Sequence, residues 1–391
     1  MVLPLPRLEE GARRRLQRLC LSAVFFLYAR KTWRSFRENA AILQLQSEPM
    51  TRLGLVLSVL KYTAVGQLLA GAEPLIGLAK PMLGYRIGRN LLSKGEHGLA
   101  GIVYGEHSRS SLDLYGMDRN ASPRKPVIVF VHGGGWTYGH KWQYGLVGKY
   151  LAKHGFLVAV INYRTYPTGS VLEQCQDVQD AIHWMHANAA TYGGDPTNLF
   201  LSGHSSGAHI GALTLIQSAI REKTGAVDPG NPTSITRPPV YTRVKAFIGL
   251  SAPYDIADHY GFESARVVGP FDGVHEISAM KPAMLGLSRF DDFSPPRLIE
   301  KAKDLKLSLP PFHILHGNAD DVVPPSSSQK LYASMQRAGL RAEYCELDGC
   351  SHENILFAVM GDNVPHKDEV VAHYKRIASS ASAAAAVHSR L

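Results

Sequence analysis

The chain has 391 residues, 45% of them apolar and 19% charged, with a formal net charge of +9. That length suits one large domain with an appendage, and the composition excludes a largely disordered chain. The charge is lopsided: residues 1–94 hold 15 Lys and Arg against 5 Asp and Glu, while the rest holds 27 against 28. A neutral main body argues against a nucleic-acid role, and a basic, apolar N-terminal end fits an anionic membrane surface.

In chain order, the first apolar run is Leu19–Ala29, flanked by Arg13, Arg14, Arg15 and Arg18 before it and by Arg30 and Lys31 after it. Eleven residues are too few to span a bilayer, and without a small-residue cleavage site the run reads as an uncleaved interfacial anchor. Leu53–Ala72 is longer, broken only by Lys61. It reaches the length of a marginal transmembrane helix and also fits a helical hairpin covering the core. Residues 1–94 are therefore expected to form a helical, membrane-associated extension.

From Gly101 the pattern changes to short β-branched runs alternating with helical stretches, the signature of a mostly parallel sheet with helices on both faces. Eight strands are expected: Gly101–Tyr104, Leu112–Tyr115, Val127–His132, Leu157–Tyr163, Leu199–Gly203, Val244–Leu250, Phe312–His316 and Ala342–Leu347. The stretch 254–309 is too long for an ordinary connection and is expected to form a helical cap inside a catalytic domain spanning 95–378. Residues 379–391 read as a low-complexity tail that need not pack, ending in Ser389-Arg390-Leu391, which resembles a peroxisomal address.

The strongest local signal is Gly203-His204-Ser205-Ser206-Gly207, a G-x-S-x-G between a predicted strand and the helix-compatible run Ala208–Ile220. That is the context of a nucleophile elbow in an α/β-hydrolase fold, with Ser205 raised at a helix N-terminus on a strained turn. A serine hydroxyl is a weak nucleophile and its attack creates an oxyanion, so a base and backbone donors should accompany it. His132-Gly133-Gly134-Gly135-Trp136 follows a strand where the first donor loop belongs. The N–H groups of Gly133, Gly134 and Gly135 and of Ser206 are the expected hole, with His204 and Trp136 facing the substrate. A phosphate-cradling loop is ruled against, because no Lys-Ser/Thr follows.

The acid and base should follow in the order Ser, Asp, His. Asp320 sits in the loop after Phe312–His316 and is preferred over Asp321. His352, after the last strand, is the expected base, oriented by Asp320. Among the other histidines, His183 and His186 lie three apart but lack a third ligand, and His209 is expected to pack beneath the elbow. Tyr254 and Asp255 are candidates for the pocket lining, Asp255 also as an alternative acid. Cys20, Cys175, Cys345 and Cys350 form no C-x-x-C pair, so neither a zinc site nor a disulfide scaffold is indicated, although Cys345 and Cys350 could be neighbours. No metal or organic cofactor is expected.

With those residues in place, the chain resembles the isoprenylcysteine methylesterase family of α/β-hydrolase serine esterases. The likeness runs from about Arg52 to the helix after His352. It is carried by the elbow, by Gly101-Ile102-Val103-Tyr104-Gly105 and Leu112-Asp113-Leu114-Tyr115, and by Tyr192-Gly193-Gly194-Asp195-Pro196. The resemblance implies hydrolysis of a methyl ester on a prenylated C-terminal cysteine at an endoplasmic reticulum or Golgi membrane. The chain departs from that pattern at His132 (threonine expected), Gly135 (alanine expected) and His204 (glutamine expected), and at Ser251-Ala252-Pro253-Tyr254-Asp255, where a more glycine-rich segment is expected. These departures bear on the substrate and leave the triad intact. A general carboxylesterase, an arylformamidase and a non-catalytic binding scaffold of the same fold remain as alternatives.

Overall fold

In the computed structural model the described residues are 98–226, 238–266, 273–276 and 278–388, with helical pieces upstream at 30, 32–34, 36–44, 54 and 56–62. Eight strands form one sheet: β1 (Gly98–Val103), β2 (Ser111–Tyr115), β3 (Lys125–Val131), β4 (Leu157–Ile161), β5 (Gly194–His204), β6 (Ala246–Leu250), β7 (Phe312–Gly317) and β8 (Ala342–Leu347). Their order is β1-β2-β4-β3-β5-β6-β7-β8. β2 runs antiparallel to both β1 and β4, and every other pairing is parallel.

The central strands read as unbroken apolar runs because both of their faces are covered. Alternate residues divide cleanly between two cores. Val127, Val129, Val131, Leu157, Ala159 and Ile161 belong to one cluster, and Ile128, Phe130, Val158 and Val160 to the other. The first face receives α2 (Val171–Asn188) and α3 (Ser206–Thr224), and the second receives α1 (Gly145–Lys153) and α8 (His352–Val359). α2 opens with a capping box in which Ser170 accepts from Leu172 N–H and Glu173 accepts from Ser170 N–H, so its start is set locally.

The eight expected strands are all present, with shifted ends. β5 begins at Gly194 instead of Leu199 because Gly194 and Asp195 pair with Lys125 and Pro126 ahead of a register shift. In 254–309 the described residues form α4 (Ile256–Ser264), α5 (Met280–Ala283) and α6 (Pro295–Lys301). Ile256, Met280, Phe293 and Ile299 from this stretch join the apolar cluster that also buries α3. Between α6 and the histidine loop lies α7 (Pro325–Arg337). α9 (Lys367–His388) continues through the Ala/Ser-rich residues, as the high helix propensity of alanine favours. Ser389-Arg390-Leu391 lies outside the described residues.

Leu19–Ala29 also lies outside the described residues, and Leu53–Ala72 is described only at 54 and 56–62. Ile42, Leu43, Val59 and Tyr62 from the upstream pieces pack into the main core. The Tyr166 hydroxyl donates to Asn39 Oδ1, and Tyr62 meets Tyr166 edge-on with centroids 6.3 Å apart. Among the described residues no helix is long and apolar enough to cross a membrane.

Candidate active site

Ser205 sits where β5 hands over to α3, with φ 54° and ψ −131°. For a residue with a side chain this left-handed setting costs roughly 1–3 kcal/mol, so the surroundings must hold it. Ser205 N–H donates to Leu250 O at 2.9 Å, and Ser205 O accepts from Ala208 and His209 N–H at 3.0 and 3.1 Å. Its hydroxyl makes no cap to the following helix. Two glycines let the turn close. A Cβ on Gly207 would lie 2.3 Å from the carbonyl oxygens of Val131 and His132, and one on Gly203 would lie 2.7 Å from Ala208 N.

The glycine loop presses directly on this turn. A Cβ at Gly133 would stand 3.0 Å from both His204 O and Ser205 Cβ, and one at Gly134 would stand 2.2 Å from Tyr138 O. Gly134, Gly135 and Trp136 all have positive φ, and Gly134 O accepts from Thr137 and Tyr138 N–H. Beneath the loop, the His132 ring is stacked between Tyr163 and Tyr144 at 4.4 and 5.5 Å. Burial pushes the His132 imidazole down to about 3, so it is neutral there. Arg109 braces the assembly, its guanidinium donating to Tyr163 O and Gly139 O at 2.8 and 2.7 Å. No sequence motif pointed to Arg109.

Asp320 and His352 are in direct contact, His352 Nδ1 to Asp320 Oδ2 at 2.7 Å. The other carboxylate oxygen accepts from Val322 and Val323 N–H at 2.9 and 2.8 Å. His316, at the end of β7, reaches Asp320 Oδ2 with Nε2 at 3.2 Å, while its Nδ1 meets Ser328 Oγ at 2.7 Å. Burial of the Asp320 carboxyl opposes ionisation, but the hydrogen bonds from His316 and His352 outweigh it and hold the group well below the usual carboxylate range. His316 was not singled out from the sequence; its place four residues before Asp320 at a strand end is the signal that could have found it. Asp321 is exposed.

The acid and histidine loops are laced together. A Cβ on Gly317 would fall 1.9 Å from Cys350 O. Ala319 N–H donates to Cys350 O, and Gly349 N–H donates to Asn318 Oδ1. Ser351 caps α8 by accepting from Asn354 N–H at 3.3 Å, which sets His352 at the first helical position. The imidazole of His352 lies tilted against that of His204, centroids 4.7 Å apart.

Two residues expected to face the substrate are placed otherwise. Trp136 is buried, with its indole N–H donating to His209 Nδ1 at 3.1 Å and its carbonyl accepting from Gln174 and Tyr166. His204 is 4% exposed, and its Nε2 lies 3.0 Å from His352 O. Ser206 is wholly buried at the first position of α3. His209 does pack beneath the elbow, its Nε2 on Phe293 O at 2.7 Å. Asp255 caps α4 and is flanked by Arg297 and Lys330, so it anchors that helix to its neighbours. Tyr254 is fully buried.

One group of metal-ligand type occurs among the described residues: ligand atoms of Cys345, Glu369 and His373 lie within 4.8 Å of one another. Arg376 donates to His373 Nδ1 at 3.0 Å, and burial pushes the Cys345 thiol up to about 11, both unfavourable to a cation. His186 Nε2 faces Arg243. Cys175, Cys345 and Cys350 are free thiols, so Cys345 and Cys350 are not joined.

Comparison with known proteins gives consistent findings. The BD-FAE family model matches residues 112–335. An isoprenylcysteine alpha-carbonyl methylesterase of Arabidopsis thaliana is 32% identical over 263 residues, 65% of this chain and 56% of that protein. A probable isoprenylcysteine alpha-carbonyl methylesterase of Oryza sativa subsp. japonica is 30% identical over 333 residues, 82% of this chain and 74% of that protein. The chain spans only 51% and 57% of two further relatives bearing the same kind of name. Among solved structures, esterase B from Lactobacillus rhamnosis superposes with a TM-score of 0.62 at 18% identity, covering 84% of this chain and 99% of that one, a likeness of fold alone.

Proposed function

The chain belongs to the BD-FAE family of α/β-hydrolases, together with the isoprenylcysteine alpha-carbonyl methylesterases it matches, and on that premise we propose that it is a serine carboxylic ester hydrolase whose preferred substrates are prenylcysteine methyl esters. The observation that carries the reading is the buried 2.7 Å bond between His352 Nδ1 and Asp320, with the strained Ser205 turn and Gly133 packed alongside through His204. Ser205, His352 and Asp320 are the catalytic triad in this reading.

A carboxylate on Nδ1 fixes the imidazole tautomer, leaving Nε2 unprotonated and able to take the Ser205 proton as Oγ adds to the ester carbonyl. The negative oxygen that forms is met by backbone N–H groups of the 133–135 loop and of Ser206. Collapse expels the alcohol, methanol for a methyl ester, with the proton from His352 Nε2. Water then repeats the sequence on the acyl-enzyme, and the carboxylate leaves. None of these steps uses a metal or cofactor.

A lipidated substrate and this chain would meet at a membrane surface. The basic N-terminal region supports that setting, as do the exposed Val56, Leu57 and Leu60 on the helical piece at 56–62. An endoplasmic reticulum or Golgi location belongs to the same reading. The loop His132-Gly133-Gly134-Gly135-Trp136 favours arylformamidase activity as the second reading. Side-by-side turnover of a prenylcysteine methyl ester, an aryl acetate and N-formylkynurenine separates them. We expect the prenylated ester to give the highest kcat/KM, and a strong preference for formylkynurenine overturns the substrate assignment.

A further inference from the structure

We propose that His204 is a positioning residue for His352, holding the start of α8, and with it the general base, against the Ser205 turn and the glycine loop. The inference rests on the esterase reading above. The His352 carbonyl only accepts, so the 3.0 Å contact requires His204 Nε2 to carry the proton and fixes the tautomer of His204. His204 Nδ1 is then a bare acceptor; it is buried and has no hydrogen-bond partner, and a Cβ at Gly133 would stand 3.2 Å from it. One side chain thus wedges between the histidine turn, the nucleophile turn and the donor loop.

The wedge works only while His204 stays uncharged, because His352 itself becomes positive during turnover and their rings are 4.7 Å apart. The charged or titratable groups that act on His204 are His352, Asp320 and His316. Burial, followed by the field of His352, pushes the His204 imidazole down to about 3, so it is neutral beside His352. A glutamine at position 204 keeps an amide donor for the same carbonyl; leucine or methionine keeps bulk and removes the donor.

The test measures kcat, KM and their pH profiles on an aryl acetate for the full chain, His204→Gln, His204→Leu and His204→Met, with thermal melts as the folding control. We expect His204→Gln to retain kcat within about threefold. His204→Leu and His204→Met, at least one of which should fold, are expected to lose roughly 10- to 100-fold in kcat with little change in KM, since small misplacements of a catalytic group have effects of that size. Their acid-side inflection should also move. A folded variant without the donor that keeps the parent kcat and pH profile overturns the proposal, as does a glutamine variant that falls as far as leucine. If instead the parent itself shows no Ser205-dependent turnover, the esterase reading has failed and not this inference alone.

Discussion

At the C-terminal edge of the sheet, Asp320 has no exposed side-chain surface and divides its oxygens among two imidazoles and two backbone N–H groups. At the outer edge, Glu369 has a half-exposed side chain (49%) and meets His366, with Cys345, His373 and Arg376 close by. Both places gather imidazole and carboxylate side chains, yet only the first holds them buried. In the second, Arg376 also binds Glu343, and His366 turns its Nε2 to Asp348 O, so the charges neutralise one another at the surface. Proximity of titratable side chains is common; burial with hydrogen bonds of one sense, anchored on strained backbone, is what distinguishes a working site.

Substitutions that break this contrast should differ greatly in effect. Asp320→Asn, measured by steady-state turnover, is expected to lower kcat about 10⁴-fold, because the amide can hold the wrong tautomer of His352. Gly207→Ala must push a methyl into two carbonyl oxygens, so a denaturant melt should show a loss of about 1–3 kcal/mol or more, with activity falling too. The matching change at the outer edge, Glu369→Gln, should leave kcat unaltered and stability within about 0.5 kcal/mol.

Acid sensitivity sharpens the same comparison. Asp320 has its folded value held below its unfolded one, so its contribution to stability is complete above the ordinary carboxylate value of about 4 and declines as pH falls below that, where the unfolded chain binds the proton first. Thermal melts of the parent and Asp320→Asn should therefore be furthest apart near pH 7, by an amount on the order of 3–5 kcal/mol, and converge below about pH 4. A gap that widened toward acid would contradict the assigned direction.

The sheet was legible because β3, β4, β5 and β7 are apolar runs bounded by glycine and polar turns, and the elbow because its glycines are sterically required. The pairing of Asp320 with His352 followed from strand order. What sequence could not convey was the direction of side chains: Trp136 and His204 look like substrate contacts in a motif, but burial turns one to His209 and the other to the His352 carbonyl. His316 and Arg109 escaped notice because a histidine ending a strand and an arginine in a loop carry no pattern of their own. The helix through the Ala/Ser tail was hidden because low complexity conceals good helix propensity.

In the proposed mechanism Ser205 is the nucleophile, raised on the strained turn whose His204 meets His352. Labelling with a fluorophosphonate probe, with the modified residue mapped by mass spectrometry in the parent and in Ser205→Ala, tests it most directly. One modified serine, Ser205, and no labelling of the variant are expected. Equal labelling of both proteins, or modification at a different serine, would contradict it.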